Sequence, residues 1–279
     1  MDPLSLSIIA LIVVGGVTGW LILSKRQKRS AIIARPIPEA WRLILEEEFP
    51  RYRTLPPEIK QTLNGYLQVL IAEKNFEACG QLEEVTDRMK VLIAGQAALL
   101  LVRLKTHNFY RRLKSILIYP TAFHDKGKRR ISLHEENDGS TRLGESWQTG
   151  SVILAWDSVL AGARNADDGM NVVIHEFAHQ LDQVDGAADG VPILQNRTAY
   201  QEWAKVFARN YDDLVDRVES GKGHRALMDP YGATNPAEFF AVASETFFEE
   251  PIALLKKRPD LYRELKQYYG LDPAKWPKT

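Results

Sequence analysis

Two histidines four residues apart, His175 and His179, stand in the stretch Asn171-Val172-Val173-Ile174-His175-Glu176-Phe177-Ala178-His179-Gln180-Leu181-Asp182, which contains the pattern H-E-x-x-H. On a helix, residues at i and i+4 share a face, so both imidazoles can converge on one tetrahedral zinc ion. Glu176 falls beside them, placed to handle protons on water carried by the metal. The spacing of Val172, Val173, Phe177, Ala178, Leu181 and Val184 predicts the helix itself, with Gly186 as its stop.

An open catalytic zinc site needs a third protein ligand, and three carboxylates compete for the role. Asp185 lies where zinc peptidases of the metzincin type carry a further ligand, but their helix-breaking glycine is here Asp182, which tolerates a left-handed turn less well. Glu238 follows Asn235 and Pro236, a cap and a first helical position that announce a second helix. A glutamate three residues after a cap also commonly bonds back to the cap amide. Glu245, one heptad on and on the same face, either binds metal or orients a histidine. Spacing leaves all three open.

The remaining elements must position these groups. Charge is balanced, with 36 basic and 36 acidic residues, so nothing marks a nucleic-acid footprint. Cys79 is the single cysteine, which excludes an internal disulfide and a cysteine-built zinc site. Leu4 to Leu23 runs without a charge, long enough for a bilayer core of about 20 residues. Lys25, Arg26, Lys28 and Arg29 follow it, so the expectation is a single transmembrane helix in the inner (cytoplasmic) membrane, with the globular region facing the cytoplasm. Ser30 to Pro38 reads as a stiff connector.

Beyond the connector, helices are expected from Trp41 to Phe49, from Pro56-Pro57 through Leu70, and from Thr86 to Val102, the last a buried core helix. Strands begin after Tyr110: Ser115 to Tyr119, Arg130 to His134, and Gly150 to Trp156. The expected division is 1–30 anchor and basic flank, 31–110 helical N-terminal part, and 111–279 the region that carries the candidate zinc site.

The stretch NVVIHEFAHQLD, followed by DPYGATNPAEFFAVASETFFEEP, resembles the MtfA (Mlc titration factor A) family, zinc peptidases whose catalytic region is similar to that of anthrax lethal factor. The likeness extends to Trp41, the IAGQAALLL helix, Ile118-Tyr119-Pro120, Gly144 to Trp147, Asp168-Gly169 and Asp189-Gly190. It implies an α+β, zincin-like metallopeptidase fold and one zinc per chain held by His175, His179 and Glu238. It further implies Glu176 as catalytic base and Tyr231 as the tyrosine near the metal. Peptide hydrolysis, aminopeptidase-like, is the implied activity. The resemblance implies a different class as well, a binding protein that sequesters a transcriptional repressor of the Mlc type with hydrolysis secondary; the expected membrane segment, a departure from the family, would make it membrane-tethered.

Overall fold

The structure, a computed structural model, describes residues 16, 19–20, 23–104, 108–121 and 150–278. In chain order its elements are α1 (Glu39–Glu48), α2 (Pro50–Thr54), α3 (Pro57–Glu73), β1 (Asn75–Ala78), α4 (Asp87–Leu99), β2 (Ser115–Tyr119), β3 (Ser151–Ala155), α5 (Trp156–Arg164), α6 (Val172–Asp182), α7 (Arg197–Glu219), α8 (Pro236–Glu249), α9 (Pro251–Lys257) and α10 (Pro259–Tyr269). Proline stands at the first position of α2, α3, α8, α9 and α10, where its missing N–H is no loss and its fixed φ suits a helix. Gly270, at φ 66°, ends α10 in the left-handed conformation that a side chain disfavours.

The expected helices of the N-terminal half and two of the strands are present, and α4 is buried from Val91 to Leu99. Thr86 caps α4 by accepting from the Met89 N–H. One strand was not foreseen. β1, the four residues NFEA, is too short to show alternation and mostly exposed, so only pairing reveals it. It lies beside β2, and β2 beside β3, all parallel, in register Asn75↔Ser115 and Ser115↔Ser151. The described sheet is thus parallel, with α4 in the crossover from β1 to β2, within a helix-dominated mixed fold. The strand expected at Arg130 to His134 lies outside the described residues.

One apolar cluster runs from Leu45 to Leu271, with α4 in contact with α1, α3, α5 and α6. Behind α8 stands an aromatic wall: Trp203 stacks on Phe207 at 3.9 Å, Phe207 meets Phe239 edge-on, and Phe247 stacks on Tyr269 at 5.6 Å. Each such buried ring contributes roughly 2–3 kcal/mol by area alone. The wall therefore holds α8 rigidly against α7 and α10.

The expected membrane placement is overturned: no helix among the described residues is long and apolar enough to cross a bilayer. Most of the apolar run from Leu4 to Leu23 lies outside the described residues. The helix described after it, 23–33, contains the basic cluster and is docked on protein. Arg29 makes a bidentate pair with Glu73 at 2.7 Å and lies over the Phe109 ring, and Ile33 packs against Gly65. Residues 30–33 continue that helix, so the connector shrinks to 34–38.

Candidate metal centre

The motif helix is placed by its first residue. Asn171 caps α6, its Oδ1 accepting from the Val173 and Ile174 N–H groups. Its Nδ2 donates to Gln96 Oε1 at 2.8 Å, the Gly162 carbonyl at 3.1 Å and Glu249 Oε1 at 3.0 Å. Its backbone N–H donates to Glu245 Oε2 at 2.7 Å. Gly162 is required for this approach, since a Cβ there would meet Asn171 Cγ at 3.0 Å. Asn171 is 2 % exposed and Gln96 0 %, so α6 starts from a fixed, dry point.

From that start the two histidines project into the core, His175 6 % and His179 1 % exposed. Their Nε2 atoms lie 3.2 Å apart. α8 faces them. Asn235 caps it, accepting from the Glu238 N–H at 3.0 Å, while the Glu238 carboxylate turns away from the cap. Its Oε2 sits 3.0 Å from His175 Nε2 and 3.3 Å from His179 Nε2. One ligand atom from each of His175, His179 and Glu238 falls within 4.8 Å of the others, the one such group among the described residues.

Glu245 takes the other nitrogen of the first histidine, Oε1 lying 2.6 Å from His175 Nδ1. With Nδ1–H donating to Glu245, Nε2 faces the Glu238 carboxylate, an arrangement that favours a positive charge between them, a proton or a metal cation. Burial works to lower the His175 pKa, but the Glu245, Glu238 and Glu176 carboxylates outweigh it and raise it to about 10. Burial likewise works to raise the Glu238 pKa, and the hydrogen bonds and charges of the two histidines bring it well below the usual carboxylate range. Three buried lone-pair donors of nitrogen and carboxylate type, in a site this receptive to positive charge, fit a divalent metal ion.

Glu176, 4 % exposed, is on the same helix one residue after His175. Tyr231 lies in a short 3₁₀ turn, Pro230–Ala233, held by Asp229 Oδ1, which accepts its N–H at 2.8 Å. Its ring centroid is 6.0 Å from that of His175. Asp185 is not brought in: it is exposed, and its Oδ1 accepts from the Ala187 N–H.

The supporting roles of several residues escaped the sequence reading. Asp182 is fully buried and accepts from the Gly190 N–H at 3.0 Å. Gly190 has φ +77°, and a Cβ there would meet the Pro236 carbonyl oxygen at 2.3 Å. The end of α6 is thus tied to the first turn of α8, two residues before Glu238. Asn171, an Asn immediately before an apolar helical run, carried a cap signal of its own; Gln96 and Glu249 carried none beyond being polar in apolar helices.

The sequence profile of the glucose-regulated metallo-peptidase M90 family matches residues 23–270. The chain belongs to this family. It is similar to the uncharacterized protein slr2042 of Synechocystis sp., 40 % identical over 263 residues and 92 % of each chain. It is also similar to Mlc titration factor A of Pectobacterium atrosepticum, 35 % identical over 162 residues, and of Cronobacter sakazakii, 34 % identical over 161 residues. Those two matches span 57 % of this chain and 59 % of each relative. The MtfA-family resemblance is borne out, and with it membership of a metallopeptidase family.

Proposed function

We propose that the protein is a zinc peptidase in which His175, His179 and Glu238 hold the metal and Glu176 is the general base. The observation that carries this reading is the convergence of those three side chains in a metallopeptidase-family chain. Two histidines and a carboxylate are the ligand set of many catalytic zinc sites. Zinc bound there supplies a Lewis acid for the scissile carbonyl and lowers the pKa of its water toward about 7. Glu176 takes the proton of the attacking water and returns it to the departing amine, so one carboxylate serves as base and then as acid. Tyr231 donates its O–H to the developing oxyanion, for which its position beside His175 is suited. The fold reading that accompanies this chemistry is zincin-like, and the activity reading is aminopeptidase-like.

The test is Glu176→Gln in the zinc-loaded protein, with peptide hydrolysis and zinc content measured together. Hydrolysis is expected to fall at least about 100-fold, the low end for a lost general base, while zinc stays at one per chain. Undiminished hydrolysis refutes the role of Glu176. A second reading follows from the relatives named Mlc titration factor A: the chain binds a transcriptional repressor of the Mlc type, with hydrolysis secondary. Under that reading the Glu176→Gln protein retains both repressor binding and its cellular effect.

A further inference from the structure

A cavity of about 340 Å³ lies beside α6, which lines it with Gln180, Leu181 and Val184. This is within the lower range of small-ligand sites, roughly 300–1,000 Å³. Its apolar lining comes from Leu104, Leu181, Val184, Ile193 and Tyr268. Asn108, Arg111, Arg112 and Gln180 add polar and basic groups to the lining.

Gln180 is 8 % exposed and lines the cavity, yet among the described residues its carboxamide has no hydrogen-bond partner. Arg111 and Arg112 pair with no carboxylate among the described residues, although both are close enough to line one cavity. The Arg112 guanidinium lies beside Gly186, just past the end of α6. Asn108 gives its Oδ1 to Arg29, which leaves Nδ2 to donate. Hydrogen-bond donors and two cations thus line, together with apolar side chains, a space of small-molecule size. Planar guanidinium groups match a carboxylate in geometry as well as charge.

We propose that this cavity binds a carboxylate attached to an apolar body, the carboxylate at Arg111, Arg112 and Gln180 and the body against Leu181, Val184, Ile193 and Tyr268. Two sources share this chemistry. One is the C-terminal end of a peptide, for Gln180 directly follows His179 and lies about 40° around the helix from Glu176; this source rests on the peptidase reading above. The other is a free organic acid, which does not.

The experiment is calorimetric binding of N-acetyl-leucine and of its neutral amide to the full chain, before and after the metal is removed by chelation. The acid is expected to bind at least 10-fold tighter than the amide, with and without metal, and to lose at least 10-fold in Arg111→Gln/Arg112→Gln protein that still binds zinc. Equal binding of acid and amide overturns the proposal, as does undiminished binding to the double variant. So does acid binding that disappears with the metal, which would put the carboxylate at the histidines, and so does an absence of binding at about 10 mM. If the acid raises the KM for a peptide without changing kcat, the ligand is the substrate's own end; a change in kcat identifies a separate acid. A chain that hydrolyses no peptide but still discriminates acid from amide keeps this site and loses only the peptidase reading.

Discussion

His175 uses both ring nitrogens, one toward Glu245 and one toward Glu238 and His179, so its orientation is fixed from two directions. Glu245 also receives the Asn171 N–H on its second oxygen, and a glutamine there can accept only one of the two donors. We expect Glu245→Gln to weaken zinc binding about 10- to 100-fold, the usual effect of losing a group that orients a metal-bound histidine. Competition against a chelator of known affinity measures it, and an unchanged affinity counts against the orienting role. Lys74 is a residue-scale case far from chemistry. Its ammonium, 8 % exposed, donates to the Tyr110 and Leu113 carbonyls, and burial depresses its pKa from 10.5 to about 8. Between those values the unfolded chain holds more protons than the folded one, so raising the pH favours folding. The cost of burying the charge, on the order of 3 kcal/mol, is present below pH 8 and relieved toward 10.5. Urea melts of wild type and Lys74→Met at pH 7.5 and 10 should show wild type gaining relative to the variant; a constant difference would refute the depressed pKa.

Between elements, the site depends on how α6 and α8 are held rather than on either alone. Asn171, with Gln96, Gly162, Glu245 and Glu249 around it, fixes where α6 begins. Gly190, pressed between Asp182 and the Pro236 carbonyl, fixes where α8 begins relative to the end of α6. Gly190→Ala meets both an unfavourable φ and an overlap at 2.3 Å, and is expected to cost about 3 kcal/mol or more, with loss of zinc as the first turn of α8 shifts. Gly221→Ala has a similar φ, +72°, but nothing within 4 Å, and is expected to cost only about 1–2 kcal/mol. Urea unfolding compares them directly; equal costs would mean that the contact with Pro236 contributes nothing.

For the molecule as a whole, a metal ion would join α6 to α8, two elements far apart in sequence that share one core. A ligand that binds only the folded state, at about 1,000 times its Kd, adds about 4 kcal/mol. For a chain of this size that corresponds to a fall in Tm of about 10 °C when a chelator removes the ion. A thermal scan with and without chelator tests it, and an unshifted Tm argues that the three donors bind no metal in the folded state.

From local spacing, caps and backbone preference the sequence specified the motif helix with its two histidines, the helices opened by Pro57 and Pro236, and the strands at Ser115 and Ser151, while the helices that start at Pro50, Pro251 and Pro259 were not read from it. It narrowed the third ligand to three carboxylates but could not choose by spacing, because Asp185, Glu238 and Glu245 all have acceptable local contexts. The fold separates them: Asp185 turns to its own loop, Glu238 meets both histidines, and Glu245 bonds to the far side of one. The membrane placement failed because apolar length is a property of composition, whereas the basic helix that follows the run is docked on Glu73, Phe109 and Gly65. The Asn171 clamp, the Asp182–Gly190 tie and the strand β1 join residues distant in the chain or too few to show a period. Only tertiary packing decides such contacts, since their energy exists only once separate elements have met.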